Sequence, residues 1–128
     1  MNRVLTIIIC LILTLIIEII VLVIFKERRK KVYIGCVLMN ILSNVILNYV
    51  LTLYSSQQTT YIIPYYLTFI IGEIIVILFE WLIYYLIIRE TKLSLYYSLF
   101  CNLISVTLGL FIFSIIMIII EKTGGINL

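Results

Sequence analysis

The sequence contains no histidine and no aspartate, and it has only three cysteines and one proline in 128 residues. Without histidine, zinc and haem sites of the familiar kinds are not expected. Cys10, Cys36 and Cys101 form no CxxC pair and all lie in apolar segments, which argues against a disulfide framework and favours packing roles. We therefore expect no cofactor, and no intramembrane hydrolase that uses a cysteine–histidine arrangement.

Charged residues are also scarce. They make up 12% of the chain against 65% hydrophobic residues, a composition that a soluble domain of this size does not need. Hydropathy gives four apolar spans, at about 4–25, 33–54, 62–88 and 93–120, each long enough to cross a hydrocarbon core of about 30 Å. We therefore predict an all-α, polytopic membrane protein with four transmembrane helices, forming a single transmembrane domain over residues 1–128.

Basic residues are unevenly distributed between the ends of these spans. Two predicted loops, 26–32 and 89–92, contain most of them: Lys26, Arg28, Arg29, Lys30, Lys31, Arg89 and Lys92. Only Arg3 and Lys122 lie on the opposite side. The positive-inside rule therefore predicts a cell-membrane protein with both loops in the cytoplasm and both termini outside. The net charge of +3 then relates to orientation and to anionic lipid near Lys26–Lys31, and not to nucleic acid.

Aromatic residues support the same placement. Five tyrosines are predicted to mark the cytoplasmic boundary of the membrane: Tyr33, Tyr84, Tyr85, Tyr96 and Tyr97. Tyrosine is enriched at membrane interfaces because its ring is apolar and its hydroxyl is polar. A second cluster, Tyr54, Tyr61, Tyr65 and Tyr66, lies at the predicted outer boundary, as an aromatic belt would.

A polar pattern occurs twice within the apolar spans. It consists of a glutamate, an asparagine 22 positions later and a serine three positions after that. The first copy is Glu18, Asn40 and Ser43, and the second, 62 positions further on, is Glu80, Asn102 and Ser105. We interpret the pattern as a duplicated helical hairpin with repeat halves at about 1–61 and 62–128. Such parallel repeats are related by a pseudo-two-fold axis along the membrane normal.

The polar residues should share one depth in the membrane. Counting about 1.5 Å per residue from the span midpoints puts four of them about 5–8 Å to the cytoplasmic side of centre: Glu18, Asn40, Glu80 and Asn102. Asn44 and Glu73 fall near the midplane by the same count. A charged residue at a helix centre costs about 2.5–3.5 kcal/mol on insertion scales. The glutamates should therefore face the bundle interior, neutralised by a proton, a cation, or amide and hydroxyl donors.

The eight candidate site residues offer mainly oxygen ligands: Glu18, Glu80, Glu73, Asn40, Asn102, Ser43, Ser105 and Asn44. Such a set suits a hard cation, although it does not select one metal, and it also permits a small cationic substrate. Burial and a like-charged neighbour both disfavour an ionised carboxyl, so Glu18 and Glu80 are also candidates for a proton relay.

Small residues on the fourth span form a stripe with Asn102 and Ser105. Ser98 and Gly109 lie on this stripe, at the spacing that allows helices to approach closely. We predict that both residues pack at helix contacts.

Three classes of function are compatible with this pattern. Transport or ion binding ranks first, and it requires a homodimer or a larger membrane partner because four helices cannot surround a wide pore. A non-catalytic membrane subunit, assembly factor or immunity-like protein ranks second, with a purely structural polar layer. An intramembrane enzyme ranks third, since paired carboxyls can perform acid–base chemistry but at this depth only on a lipid or prenyl substrate.

The chain resembles a group of small, uncharacterised bacterial and archaeal four-helix membrane proteins. The resemblance is carried by Glu18, by the segment Asn40-Ile-Leu-Ser43-Asn44, by Glu73 with Glu80, and by Asn102-Leu-Ile-Ser105 running to Gly109. It departs at Val45, where the group's pattern has proline, and it implies no activity. Small multidrug-resistance transporters are similar only in size and in a glutamate like Glu18, so neither substrate nor mechanism is transferred from them.

Overall fold

The computed structural model describes residues 3–56 and 62–124. This part of the chain is all-α, with helices α1 (Arg3–Ile24), α2 (Lys30–Ser56), α3 (Ile62–Ile88) and α4 (Thr91–Lys122). By length and composition, each of the four is able to cross a membrane. The predicted all-α class and the four candidate spans are therefore confirmed.

Two of the helices are longer than their apolar segments. α2 has 27 residues and includes Ser55 and Ser56, which hydropathy placed in the second loop. α4 has 32 residues and, at about 1.5 Å per residue, exceeds a hydrocarbon core of about 30 Å. A helix continues beyond its apolar segment because its backbone hydrogen bonds do not depend on side-chain polarity. Residues 57–61 of the predicted second loop lie outside the described residues.

The two short connections on the basic side each turn through a left-handed residue. Lys26 (φ 58°) follows α1, and Arg89 (φ 64°) follows α3. After α1, the Lys26 N–H donates to the Val23 carbonyl and the Glu27 N–H donates to the Leu22 carbonyl. This pair of bonds is a Schellman motif, which satisfies the last carbonyls of the helix and reverses the chain.

The helices are arranged in a ring. α1 packs against α2 and α4, and α3 also packs against α2 and α4, so α1 and α3 occupy diagonal positions. The buried apolar residues concentrate toward the basic loops: Ile17, Val21, Leu22, Val32, Cys36, Met39, Tyr84, Ile88, Tyr97 and Cys101. Toward the opposite end, Leu51 is the only buried hydrophobic residue among the described side chains. Among the described side chains, the bundle is therefore closely packed at the end of the basic loops and more loosely packed toward the other end.

Glycines mark the close approach of α2 and α3. A Cβ atom added at Gly35 would lie 2.6 Å from Cδ1 of Ile87, and one added at Gly72 would clash with Leu47. An added Cβ at Gly109, in contrast, would have no neighbour within 4 Å. The prediction that Gly109 packs at a helix contact is therefore wrong, because this residue faces an internal cavity instead.

Candidate functional site

Glu18 lies in the second half of α1 and is fully buried, at 0% exposure. The side-chain amide of Asn40 on α2 donates a hydrogen bond to its Oε2 atom. The Cys36 thiol lies 3.6 Å from the same oxygen. On the other side, Oγ of Ser105 on α4 lies 3.3 Å from Oε1 of Glu18. The carboxyl is thus held by both helices that neighbour α1.

Glu80 on α3 has the corresponding surroundings and is also fully buried. Nδ2 of Asn102 on α4 donates to its Oε2 atom at 2.6 Å, and Oγ of Ser43 on α2 lies 3.5 Å from its Oε1 atom. Each glutamate therefore binds the asparagine of its own hairpin and the serine of the other hairpin. This crossed arrangement connects all four helices.

These six side chains form what we call the carboxyl layer: Glu18, Asn40, Ser43, Glu80, Asn102 and Ser105. All six are buried, and the crossed contacts place both carboxyls in one layer between the four helices. The repeated spacing in the sequence corresponds to two matched sets of contacts. The structure thus brings together six of the eight predicted site residues.

The two asparagine amides have a defined orientation. Nδ2 of Asn40 also donates to the Cys36 carbonyl at 3.0 Å, and Nδ2 of Asn102 donates to the Ser98 carbonyl at 2.8 Å. An amide rotated by 180° would place its oxygen against that backbone oxygen, which is unfavourable because both atoms are acceptors. Each asparagine therefore presents an N–H group, and not its carbonyl oxygen, to its glutamate.

The hydroxyl of Ser105 completes the bonding of Glu18. Its single hydrogen atom has two possible acceptors, Oε1 of Glu18 at 3.3 Å and the Asn102 carbonyl at 3.1 Å. When the hydroxyl donates to Glu18, it stabilises an ionised carboxylate; when it donates to the carbonyl, a lone pair on Oγ accepts a hydrogen bond from a protonated Oε1. The site therefore offers hydrogen-bond partners to both protonation states of Glu18.

No basic side chain balances the carboxyl layer. Within residues 3–56 and 62–124, the only salt bridge joins Arg29 to Glu27 at the basic end of the bundle. The same residues contain no group of three or more cysteine or acidic side chains suited to a metal ion. Neutral amide, hydroxyl and thiol groups therefore surround two acidic side chains.

Tyr84, one helical turn from Glu80, lies under the layer on the side of the basic loops. It is fully buried, and its hydroxyl lies beside Cys36 without making a hydrogen bond of acceptable geometry to any described residue. An unsatisfied buried hydroxyl costs about 1–3 kcal/mol. Tyr84 therefore faces the interior of the bundle and not the surrounding membrane. The four-residue spacing from Glu80 is the signal that could have placed it in the interior.

Ser98 and Cys36 also contribute to this region. Ser98 is buried and donates to the Ile77 carbonyl at 2.5 Å, which ties α4 to α3 as its small size predicts. Cys36 has a more specific place than packing alone, because its thiol is directed at Glu18.

Glu73 and Asn44 lie outside the carboxyl layer. Asn44 is half-buried, and its Nδ2 atom lies 3.4 Å from Oδ1 of Asn40, so it contacts the layer only through that residue. Glu73 is half-buried and lines a cavity at the loosely packed end of the bundle. The spacing of seven residues puts Glu73 and Glu80 on one face of α3 but two turns apart.

Glu27, which the sequence pattern did not single out, organises the basic end of the bundle. Its carboxylate accepts hydrogen bonds from the backbone N–H groups of Arg28 and Arg29, and from the Arg29 guanidinium at 2.9 Å. The Tyr97 hydroxyl on α4 donates to it at 2.5 Å. The hydrogen bonds from Arg29 are the main reason why the pKa of Glu27 falls from its ordinary 4.5 to about 2. The sequence signal that could have identified Glu27 is that it is the single acidic residue among five basic ones in residues 26–31.

This contact should make the protein sensitive to acid. A carboxyl with a lowered pKa stabilises the folded state above its ordinary pKa, and that contribution disappears as the pH falls from about 4.5 to about 2. We expect Glu27→Gln to be less stable than wild type at pH 7 and to lack this part of the acid dependence. Thermal unfolding in detergent measures both. Glu90→Gln, in the other basic-side connection, is the control, and an equal loss in both variants would contradict the assigned role.

Comparison of the chain with protein-family profiles, with curated proteins and with solved structures finds no significant match. The resemblance to small four-helix membrane proteins therefore stays a prediction. Function has to be argued from the carboxyl layer and its surroundings.

Proposed function

We propose that this protein is a small integral membrane protein that binds an exchangeable proton at Glu18 and Glu80 and uses it in transport. One observation carries the proposal: two fully buried carboxyls interact with neutral donors and have no basic partner. Burial without a counter-charge is costly for a carboxylate and is relieved by protonation. A small metal cation or cationic substrate is the alternative occupant.

The orientation of the asparagines favours a proton over a metal ion. A hard cation is bound by carbonyl, carboxylate and hydroxyl oxygens. Asn40 and Asn102 instead direct their N–H groups at the carboxyls, since the backbone carbonyls of Cys36 and Ser98 hold the amides in place. Hydrogen atoms with partial positive charge would face a bound cation, whereas they complement either protonation state of a glutamate.

The surroundings of the pair support a functional role over a structural one. Asparagine or glutamine could join the helices at a lower cost of insertion than glutamate. The free hydroxyl of Tyr84 under the layer adds a buried polar group that a purely structural core does not need. Ionisable residues inside a membrane domain are functional by default for these reasons.

The proposal includes the duplicated hairpin. The crossed contacts of each glutamate with the serine of the other half support a pseudo-two-fold axis between α1–α2 and α3–α4. Four helices in a ring leave little interior space, so we propose that transport takes place in a homodimer or with a larger membrane partner. We retain the orientation with both termini outside, with exposed basic residues such as Lys26 and Lys31 near anionic lipid headgroups.

The proposal is tested by thermal unfolding in detergent across pH and across a panel of monovalent and divalent cations. Wild type is compared with Glu18→Gln and Glu80→Gln, which preserve side-chain shape but cannot exchange a proton. We expect wild type to be stabilised as the pH is lowered toward neutral from the alkaline side, and each variant to show a smaller response, because one of the two buried carboxyls remains in each. Glu121→Gln, exposed near the end of α4, is the matched control.

The other outcomes separate the alternatives. Stabilisation by one cation, lost in both variants, would identify a cation site in place of the proton. Equal or higher stability of both variants, with no dependence on pH or ions, would contradict the proposal. The structural reading, a non-catalytic membrane subunit, would then be preferred.

A further inference from the structure

A partly open cavity of ≈ 180 Å³ lies between the helices on the side of the carboxyl layer away from the basic loops, and all four helices contribute to its wall. Five of its lining residues are polar: Thr14, Asn44, Asn48, Glu73 and Ser105. A water molecule takes up about 30 Å³ in the liquid, and cavities with polar walls hold ordered water. This cavity therefore has both the size and the lining for several waters.

The cavity reaches Glu18 through a residue of its wall. Ser105 belongs to this wall and also lies 3.3 Å from Oε1 of Glu18. Ser43, the corresponding contact of Glu80, instead lines a separate and almost wholly apolar groove between α2 and α3. Water in the cavity can consequently reach Glu18 through one hydroxyl, whereas the groove beside Ser43 offers Glu80 an apolar surface.

The opposite end of the bundle is closed. Leu22, Val32 and Tyr84 are fully buried under the carboxyl layer and fill the space between the helices. Beyond them, the hydrogen bond from Tyr97 to Glu27 fastens the first connection onto α4. The route from the basic side to Glu18 is therefore blocked by packed side chains.

We infer that the cavity is a hydrated entrance through which protons carried by water reach Glu18 from the end opposite the basic loops, and that Glu73 is its first binding group. Glu73 lines the same cavity as Ser105, on the face of α3 that also carries Glu80. Its carboxylate attracts positive charge into the cavity. Ser105 relays the proton: its hydroxyl gives its own hydrogen to Oε1 of an ionised Glu18 and takes a replacement from protonated water in the cavity, so that no charge stays on the serine. That the ligand is a proton rests on the proposed function. That access is one-sided and selective for cations rests only on the position and lining of the cavity.

The native cysteines provide the test. Cys10 lines the cavity, whereas Cys36 and Cys101 lie in the closed core at 0% exposure. Wild-type protein in sealed lipid vesicles is treated with two methanethiosulfonate reagents of similar size, one carrying trimethylammonium and one carrying sulfonate. Mass spectrometry of the peptides then shows which cysteine has reacted, and a protease-sensitive C-terminal tag reports which side of the protein faces the reagent.

We expect Cys10 alone to react, only from the side of the termini, and about tenfold faster with the cationic reagent, since a cleft with charge of one sign concentrates ions of the other sign. Glu73→Gln should abolish this preference without preventing the reaction, and Glu121→Gln should leave it unchanged. Gly109→Phe, which fills the cavity wall, should slow both reagents equally.

Three results would overturn the inference: no reaction at Cys10, reaction from the basic side, or equal rates with both reagents. None of these outcomes depends on whether Glu18 and Glu80 exchange protons. If labelling is one-sided and cation-selective but stability does not depend on pH, the proposed function fails and the entrance stands. If stability depends on pH but labelling is not one-sided and cation-selective, the proton site stands and this route to it is refuted.

Discussion

Replacement of Asn40 by leucine is expected to destabilise the folded protein by about 1–3 kcal/mol, because a buried acceptor loses its donor. Oε2 of Glu18 accepts from the Asn40 amide, and the weaker donor beside it is the Cys36 thiol. Asn102→Leu should have a similar effect, since Oε2 of Glu80 accepts from Asn102 at 2.6 Å. Thermal or denaturant unfolding in detergent gives the magnitude for each variant.

The same substitution further along α2 provides the control. Asn44 is half-buried, and its Nδ2 atom lies 3.4 Å from Oδ1 of Asn40, so its contact with the layer is with that asparagine and within the same helix. Asn44→Leu should therefore change stability much less than Asn40→Leu. If the two variants behaved alike, the specific role of the amide at Glu18 would be refuted.

A charge-pair cycle should show a coupling of about 3–5 kcal/mol across the diagonal of the bundle, the usual cost of removing one partner from a buried ion pair. Glu18→Lys places an ammonium group where it can pair with the Glu80 carboxylate. Combining it with Glu80→Gln removes that carboxylate and leaves the ammonium buried without a partner. We therefore expect the single variant to fold and the double variant to be strongly destabilised.

Two further variants complete the cycle. Glu18→Met has a side chain of similar length to lysine but no charge, so it measures the effect of the added volume alone. It should have nearly the same stability with Glu80 as with Glu80→Gln. Additive effects of Glu18→Lys and Glu80→Gln would mean that the two positions do not interact, and the carboxyl layer as described here would be wrong.

Much of the fold could be predicted because the relevant signals are local. Four apolar segments separated by short polar connections are sufficient for four helices, since in lipid each helix satisfies its own backbone hydrogen bonds. The bounds of α1 and α3 agree with hydropathy to within one residue, whereas α2 and α4 extend further. Their extra turns contain residues such as Lys30 and Glu121, which hydropathy assigns to the ends although they are compatible with a helix.

The candidate site, like the fold, could be predicted from the sequence only in part. The spacing of Glu18, Asn40 and Ser43, and its repetition 62 residues later, was enough to predict which side chains carry the polar chemistry. It was not enough to predict that each glutamate contacts the serine of the other hairpin. Gly109 was misassigned for a related reason, because residue size alone does not reveal whether a helix or a cavity faces that position.

The sequence by itself determined the all-α class, the four helices that are long and apolar enough to cross a membrane, and the identity of the polar residues within them, because hydropathy and helical periodicity depend on near neighbours along the chain. Only the tertiary structure decided the order of the helices around the ring, the crossed hydrogen bonds, the direction of the asparagine amides and the closure of one end by Tyr84 and Glu27. These features depend on contacts such as that between Glu18 and Ser105, which are 87 positions apart. Such contacts form only when the side chains of several helices pack together.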